Sequence, residues 1–277
     1  MSDKKFKLCF VGGDARQKYA AERLSTALEI SALGDCFDKS PSDSAERAFY
    51  NAGAVVLPIP AIKAEKAMGF CDIVRLAKKN CSVVLGGGFT EYMKSYMEGS
   101  GVRYFDYMDD EAFTVRNAYL TAEGALNLIS NKLSKDIKST SFAILGYGRI
   151  GSALAEILSS LHARVCVLAR RDESLALARE RGLESAFLGE LSERSFDVIV
   201  NTVPSRIISN ETLLSMSPRT VLIELASSPG GFDLEIAEQI GLAVINGGGL
   251  PGKYAPESAG HAVADVLLKI LKKEHFL

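Results

Sequence analysis

The sequence predicts an α/β protein of two doubly wound parallel-sheet domains, the second a Rossmann dinucleotide-binding domain, with a cleft between them. Three observations predict this. Short apolar runs of strand length alternate with helical patterns in two successive rounds, as in parallel sheets covered on both faces. The second round opens on Phe142-Ala-Ile-Leu-Gly146-Tyr147-Gly148-Arg149-Ile150-Gly151, an apolar strand leading through Gly-x-Gly-x-x-Gly into the amphipathic Ser152-Ala-Leu-Ala-Glu-Ile-Leu. Between the rounds lies a helical pattern from about Glu111 to Leu133 that bridges the two domains.

The first round begins with the strand Phe6–Val11, the turn Gly12-Gly13-Asp14 and a helix from about Ala15 to Ile30. The stretch Asp35–Arg47 has few apolar residues and reads as a loop. Ala54–Leu57 and Ser82–Leu85 are buried-strand candidates ending in Pro or Gly, and Val102–Phe105 is a last short strand. The second round runs through Phe142–Leu145, Val165–Leu168, Val198–Val200, Val221–Leu225 and Ala243–Ile245. A final helix from about Pro256 to Lys272 spaces Val263, Val266, Leu267 and Ile270 helically and is expected to return to the first domain. The expected division is therefore 1–135, a substrate and catalytic domain with the returning helix 256–277, and 136–255, the dinucleotide domain.

Composition excludes several function classes. With 277 residues at 47% hydrophobic, the chain can bury full cores in two domains. A formal charge of −2 gives no electrostatic reason to bind nucleic acid or an anionic membrane. The five cysteines (Cys9, Cys36, Cys71, Cys81, Cys166) never form a C-x-x-C pair and fit reduced thiols. The three histidines are too scattered for a zinc site, so no metal is expected. No leader is recognised, and no apolar run approaches the ~20 residues of a membrane helix, so a cytoplasmic protein is expected.

The glycine turn points to a dinucleotide. Gly146 permits the tight turn, Gly148 lets backbone approach a pyrophosphate, and Gly151 lets helix and strand pack closely. The pyrophosphate then meets the free N–H groups and positive dipole end of the helix. The second strand of this unit ends in Ala169-Arg170-Arg171-Asp172. An NAD site usually carries an acidic residue there, on the ribose 2′-hydroxyl. Two guanidiniums in its place favour NADP, whose 2′-phosphate they match bidentately; the competing reading makes Asp172 the ribose ligand, one residue late.

Further candidates sit at later strand ends. Asn201-Thr202-Val203-Pro204 offers hydrogen bonds and a fixed turn to the cofactor, and Ser205 and Arg206 extend it toward substrate. Ala226 and Ser227, in Glu224-Leu-Ala-Ser-Ser-Pro-Gly-Gly231, suit the nicotinamide side. In the loop Gly247-Gly-Gly-Leu250-Pro251-Gly-Lys253-Tyr-Ala-Pro256, little bulk precedes Lys253, so Leu250 and Pro251 are cofactor candidates and Lys253 a catalytic or anion-binding cation. Arg16, at the start of the first helix, has the fork to clamp a substrate carboxylate. Glu123, on the bridging helix, is the acid/base candidate.

Five segments occur in one order: Gly12-Gly-Asp-Ala-Arg-Gln17, Gly146-Tyr-Gly-Arg-Ile-Gly151, Asn201-Thr-Val-Pro-Ser205, Glu224–Gly231 and Leu250-Pro-Gly-Lys-Tyr-Ala-Pro-Glu-Ser258-Ala-Gly260. Together they closely resemble the dipicolinate synthase family of spore-forming bacteria, specifically its A-type subunit, over nearly the whole chain and most weakly between about Asp35 and Tyr50. The resemblance implies NADP-dependent aromatisation of a dihydrodipicolinate-type intermediate to pyridine-2,6-dicarboxylate, with Ser258 among the substrate contacts. It also implies a flavoprotein-like B-type partner from the same synthase, a homo-oligomer, and a place in the mother-cell cytoplasm during sporulation. The layout is similar to D-2-hydroxyacid dehydrogenases too, but Glu257 stands where their histidine would be and Ala226-Ser227-Ser228 where their arginine would be. Alcohol oxidation would lack its proton acceptor, whereas aromatising a dihydropyridine needs less help. The alternatives are an NADP-dependent dehydrogenase or reductase of another small acid, and a non-catalytic NADP-binding protein scaffolding a partner.

Overall fold

The computed structural model describes residues 5–37, 44–80 and 82–277, and it divides into two compact units, Met1–Asn117 with Ala255–Leu277, and Ala118–Tyr254.

In the first unit five parallel strands form one sheet: β1 (Lys7–Val11), β2 (Glu29–Leu33), β3 (Ala54–Val56), β4 (Val83–Gly86) and β5 (Tyr104–Asp106), in the order β2-β1-β3-β4-β5. The period of two along β1 splits its side chains between two cores. Leu8 and Phe10 join the layer built with α1 (Ala15–Leu24) and the helix Pro256–Lys273. Cys9 and Val11 join the layer beneath α2 (Ala45–Phe49), α3 (Phe70–Lys79) and α4 (Glu91–Ser100). A Cβ on Gly260 would lie 2.6 Å from the Arg16 carbonyl oxygen, so this glycine sets how closely the closing helix approaches α1.

Two expectations are corrected here. The helix expected to reach Ile30 stops at Leu24, and Glu29–Leu33 is instead a strand, in register with β1 through Ile30–Leu8 and Ala32–Phe10. Once the strand is seen, Ile30 and Ala32 read as period two, which a helical template at those positions had masked. The loop expected over Asp35–Arg47 gives way at Ala45 to α2, which Ser44 caps by accepting from the Arg47 N–H. Part of that loop, and Cys81, fall outside the described residues.

The helix α5 (Glu111–Ser130) runs across the division, so the first unit ends at Asn117, earlier than the 135 drawn from the sequence. The second unit holds six parallel strands: β6 (Ser141–Leu145), β7 (Arg164–Ala169), β8 (Glu184–Phe187), β9 (Val198–Asn201), β10 (Val221–Glu224) and β11 (Ala243–Asn246). Their order, β11-β10-β9-β6-β7-β8, is the doubly wound Rossmann order, with its switch point between β6 and β9. β8 is an edge strand with only one buried residue, Ala186, which is why no apolar run announced it. Its helices are α6 (Arg149–Ser160), α7 (Asp172–Glu180), α8 (Asn210–Ser215), α9 (Leu234–Gln239) and α10 (Leu250–Tyr254).

The stretch read as an open loop before Pro256 is corrected by α10, whose Leu250 is buried in the apolar layer over β6. Gly124 on α5 makes room for it, since a Cβ there would lie 2.9 Å from the Leu250 Cβ. The chain then returns to the first unit through Pro256–Lys273, α11. Among the described residues no helix is long and apolar enough to cross a membrane.

Candidate functional site

At the carboxyl end of β6 the chain turns at Gly146 with φ of +89°, a conformation that side chains disfavour. A Cβ on Gly146 would stand 2.6 Å from Val203 Cγ2, and one on Gly151 would stand 2.2 Å from the Gly146 carbonyl oxygen. Both glycines are therefore required by packing. Gly148 differs, because nothing lies within 4 Å of where its Cβ would be. It is also the N-cap of α6 and gives the first turn no side-chain acceptor. The open backbone and uncapped helix end are the cradle a pyrophosphate needs.

A cavity of about 300 Å³ opens over this turn. It brings together Gly146, Tyr147 and Gly148 from the turn, Ala169, Arg170 and Arg171 from the end of β7, and Thr202, Val203 and Pro204 from the end of β9. All nine are expected cofactor residues, and they flank the switch point where ligands bind in such sheets. Leu168, Ser174 and Leu188 complete the wall and were not anticipated. Leu188 follows the unforeseen strand β8, and Ser174 lies in the first turn of α7. Arg149, Ile150 and Gly151 belong to α6 and do not line the cavity; neither do Ala226, Ser227, Leu250 and Pro251. The buried Tyr147 hydroxyl has no partner among the described residues.

Arg170 and Arg171 are exposed, and neither forms an ion pair or side-chain hydrogen bond among the described residues. They place two unpaired guanidiniums on one cavity wall. Asp172, the rival ribose ligand, is exposed and lies outside the wall.

Asn201 is corrected from a cofactor ligand to an internal brace. It is fully buried; its Oδ1 accepts from the Val203 N–H at 3.0 Å, and its Nδ2 donates to the Val203 carbonyl at 3.0 Å and to Glu224 Oε1 at 2.7 Å. Glu224, also buried, further accepts from the N–H groups of Ala226 (2.9 Å) and Gly231 (2.7 Å). Three donors thus satisfy one buried carboxylate, which ties the loop after β9 to the loop after β10. The sequence signal was there, in an acidic residue closing an otherwise apolar strand. Thr202 donates its hydroxyl to the Leu145 carbonyl at 2.8 Å and braces the glycine turn from the other side.

The remaining candidates are more dispersed. In the second unit Glu123 is exposed on α5, Lys253 is exposed on α10, Ser205 is half-buried and Arg206 exposed. In the first unit Ser258 is half-buried in the first turn of α11. Arg16 is not the free clamp expected. It is 5% exposed, and its fork already holds Asp14, Nε to Oδ1 at 2.8 Å and Nη2 to Oδ2 at 2.7 Å, with Nη2 also donating to the Ile59 carbonyl at 2.9 Å. The cause is local, since Asp14 caps α1 two residues before Arg16. Burial works to raise the Asp14 pKa, but the hydrogen bonds and charge of Arg16 outweigh it and hold the carboxyl below its usual range. The buried amide of Gln17 has no partner among the described residues.

Comparison with known proteins agrees with this geometry. Residues 116–229 match the family model described as D-isomer specific 2-hydroxyacid dehydrogenase, NAD binding domain, so the second unit is of the nicotinamide-dinucleotide type. The A-type subunit of dipicolinate synthase from Bacillus subtilis (strain 168) is 30% identical over 96% of this chain and 95% of its own length. The crystal structure of the same component from Bacillus halodurans superposes with a TM-score of 0.82 at 29% identity, covering 96% of this chain and 97% of that one. D-lactate dehydrogenase from Escherichia coli shares the fold, with a TM-score of 0.71 at 15% identity over 98% of this chain and 97% of that one. The glycine cradle, the Rossmann strand order and full-length similarity together place the chain in the dipicolinate synthase family, as a member of its A-type.

Proposed function

We propose that this chain is an NADP-dependent dehydrogenase that oxidises a dihydrodipicolinate-type intermediate to pyridine-2,6-dicarboxylate. The observation that carries the cofactor choice is the pair Arg170 and Arg171, unpaired on the cavity wall at the end of β7, with Asp172 outside it. Guanidinium forks match a phosphate monoester, whereas the 2′-hydroxyl of NAD would leave both charges unanswered. The name of the B. subtilis relative supplies the product, dipicolinate, and the family resemblance supplies its dihydro precursor.

Bound NADP⁺ supplies hydride acceptance; the substrate ring gives up one hydride and one proton and becomes aromatic. The chain's own residues bind and orient. The Gly146–Gly151 turn and the α6 terminus hold the pyrophosphate, and the wall Thr202–Pro204 is kept in place by Asn201 and Glu224. Within the second unit Lys253 is the proposed cation for a substrate carboxylate, with Ser205 and Arg206 as further contacts; within the first unit the candidates are Arg16 and Ser258. Arg16 would exchange Asp14 for a substrate carboxylate of the same geometry. Glu123 or a water takes the proton. A B-type partner follows from the relative being the A-type component of its synthase, and self-association, sporulation and the mother-cell cytoplasm follow from the family resemblance.

The test is turnover of freshly generated dihydrodipicolinate with NADP⁺, with and without a B-type partner, following NADPH and the dipicolinate ultraviolet bands together. Coupled appearance of both supports the reading; NADPH binding without turnover in either arm moves it to another small acid or a scaffolding role. For the cofactor, R170A/R171A should weaken NADPH binding far more than NADH binding, and equal losses would reject the phosphate role.

A further inference from the structure

Ser174 shares the cavity wall with Arg170 and Arg171 and is 9% exposed. Its backbone N–H donates to the Arg171 carbonyl at 3.1 Å, but its hydroxyl makes no hydrogen bond among the described residues. Some helical serines behave differently. Ser152, Ser160 and Ser215 each return the hydroxyl to the carbonyl three residues back, the usual refuge for a serine on a helix. Ser174 therefore presents an unpartnered hydroxyl on the cavity wall, available to a ligand there.

Its surroundings say which kind. Arg171 is the N-cap of α7 and offers the first turn no side-chain acceptor. The acidic residues of that turn, Asp172 and Glu173, are exposed and outside the cavity wall. One hydroxyl donor, an uncapped helix start and two unpaired guanidiniums therefore belong to the wall of one cavity, a set that suits a dianionic phosphate monoester.

We propose that Ser174 is a specificity contact for the 2′-phosphate of the cofactor, its hydroxyl donating to a phosphate oxygen while Arg170 and Arg171 neutralise the charge. This rests on the NADP reading above. A bond from a neutral hydroxyl to a charged oxygen is worth more than one to a neutral ribose hydroxyl, so Ser174 discriminates between the two cofactors.

The experiment is calorimetric titration of the full chain with NADP⁺, NAD⁺, 2′-AMP and 5′-AMP, for the wild type, S174A and R170A/R171A. S174A is expected to weaken NADP⁺ and 2′-AMP by roughly tenfold while NAD⁺ and 5′-AMP change less than about twofold, which also shows that the variant is folded. If S174A changes the phosphorylated and unphosphorylated ligands alike, the proposal is overturned. If R170A/R171A selectively loses NADP⁺ while S174A loses nothing, the Ser174 contact falls and the NADP reading stands. If R170A/R171A loses NADP⁺ and NAD⁺ equally, the NADP reading falls and takes this proposal with it.

Discussion

Glu224 accepts a 2.7 Å hydrogen bond from Asn201, and both side chains are buried at the carboxyl ends of neighbouring parallel strands. Through this contact two loops hold one another: Asn201 pins Val203 on the cavity wall, and Glu224 pins the turn at Ala226 and Gly231. Gln at 224 keeps the shape but has one acceptor oxygen where the carboxylate has two, so an amide N–H₂ must face a donor. E224Q should lose about 2 kcal/mol of stability and weaken dinucleotide binding, read by urea denaturation and NADPH titration. Unchanged binding in a destabilised E224Q would confine the pair to a structural role.

Gly148 and Gly151 should fail in different ways. Ala at 151 puts a methyl 2.2 Å from the Gly146 carbonyl, backbone that cannot step aside, so G151A should lose both binding and about 2 kcal/mol of stability. Ala at 148 meets nothing within 4 Å and needs no unusual φ, so G148A should keep its melting temperature. Its methyl would still stand over the α6 terminus, and NADPH affinity should fall at least roughly tenfold as the bonds to the pyrophosphate lengthen. A G148A protein that binds normally would mean the cofactor does not cross that turn.

Acid should weaken the start of β6 at one carboxylate. The Lys135 ammonium and the Ser141 N–H and hydroxyl hold Asp197 down, from an ordinary 3.8 to about 2. A carboxyl whose folded pKa lies below its unfolded one adds stability above about pH 4 and loses it as pH falls through about 2. D197N should therefore be less stable than the wild type at pH 7, with the gap closing on acidification. Denaturation midpoints at pH 7, 5 and 3 measure it; a gap that stays constant down to pH 3 would exclude the ion pair as its source.

Thiol chemistry should be selective. Burial pushes Cys9 up to about 12 and Cys36 and Cys166 up to about 11, so little thiolate exists at neutral pH, while Cys71 is exposed. Iodoacetamide on the native protein, followed by peptide mapping, should modify Cys71 well before those three. Early loss of Cys166 would indicate that the Arg194 side of β7 opens readily.

Much of the fold was legible because parallel strands buried on both faces are nearly continuous apolar runs, and β1, β6 and β9 are such runs. What was missed lies where that signal fades: β8 at a sheet edge, and β2 hidden behind a preceding helix. The glycine cradle and the two arginines could be read because spacing alone encodes them. The internal partners of Asn201 and Arg16 could not, because Glu224 lies on another strand and the choice of Asp14 depends on how a helix is capped. Polar side chains at strand ends can face ligand or brace one another, and only the three-dimensional contacts separate the two.

The closing position of α11 orders events at the ribosome. Val263, Val266, Leu267 and Leu271 are each at most 3% exposed and complete the core of the first unit. At about 2 kcal/mol per buried side chain their loss would consume a typical domain's whole stability. Most of that unit precedes the dinucleotide unit in the chain, yet it cannot finish its core until residues translated after the entire dinucleotide unit emerge. The later-synthesised unit is thus free to fold first, and the earlier one waits with an apolar face open, the interval in which a nascent chain most needs a chaperone.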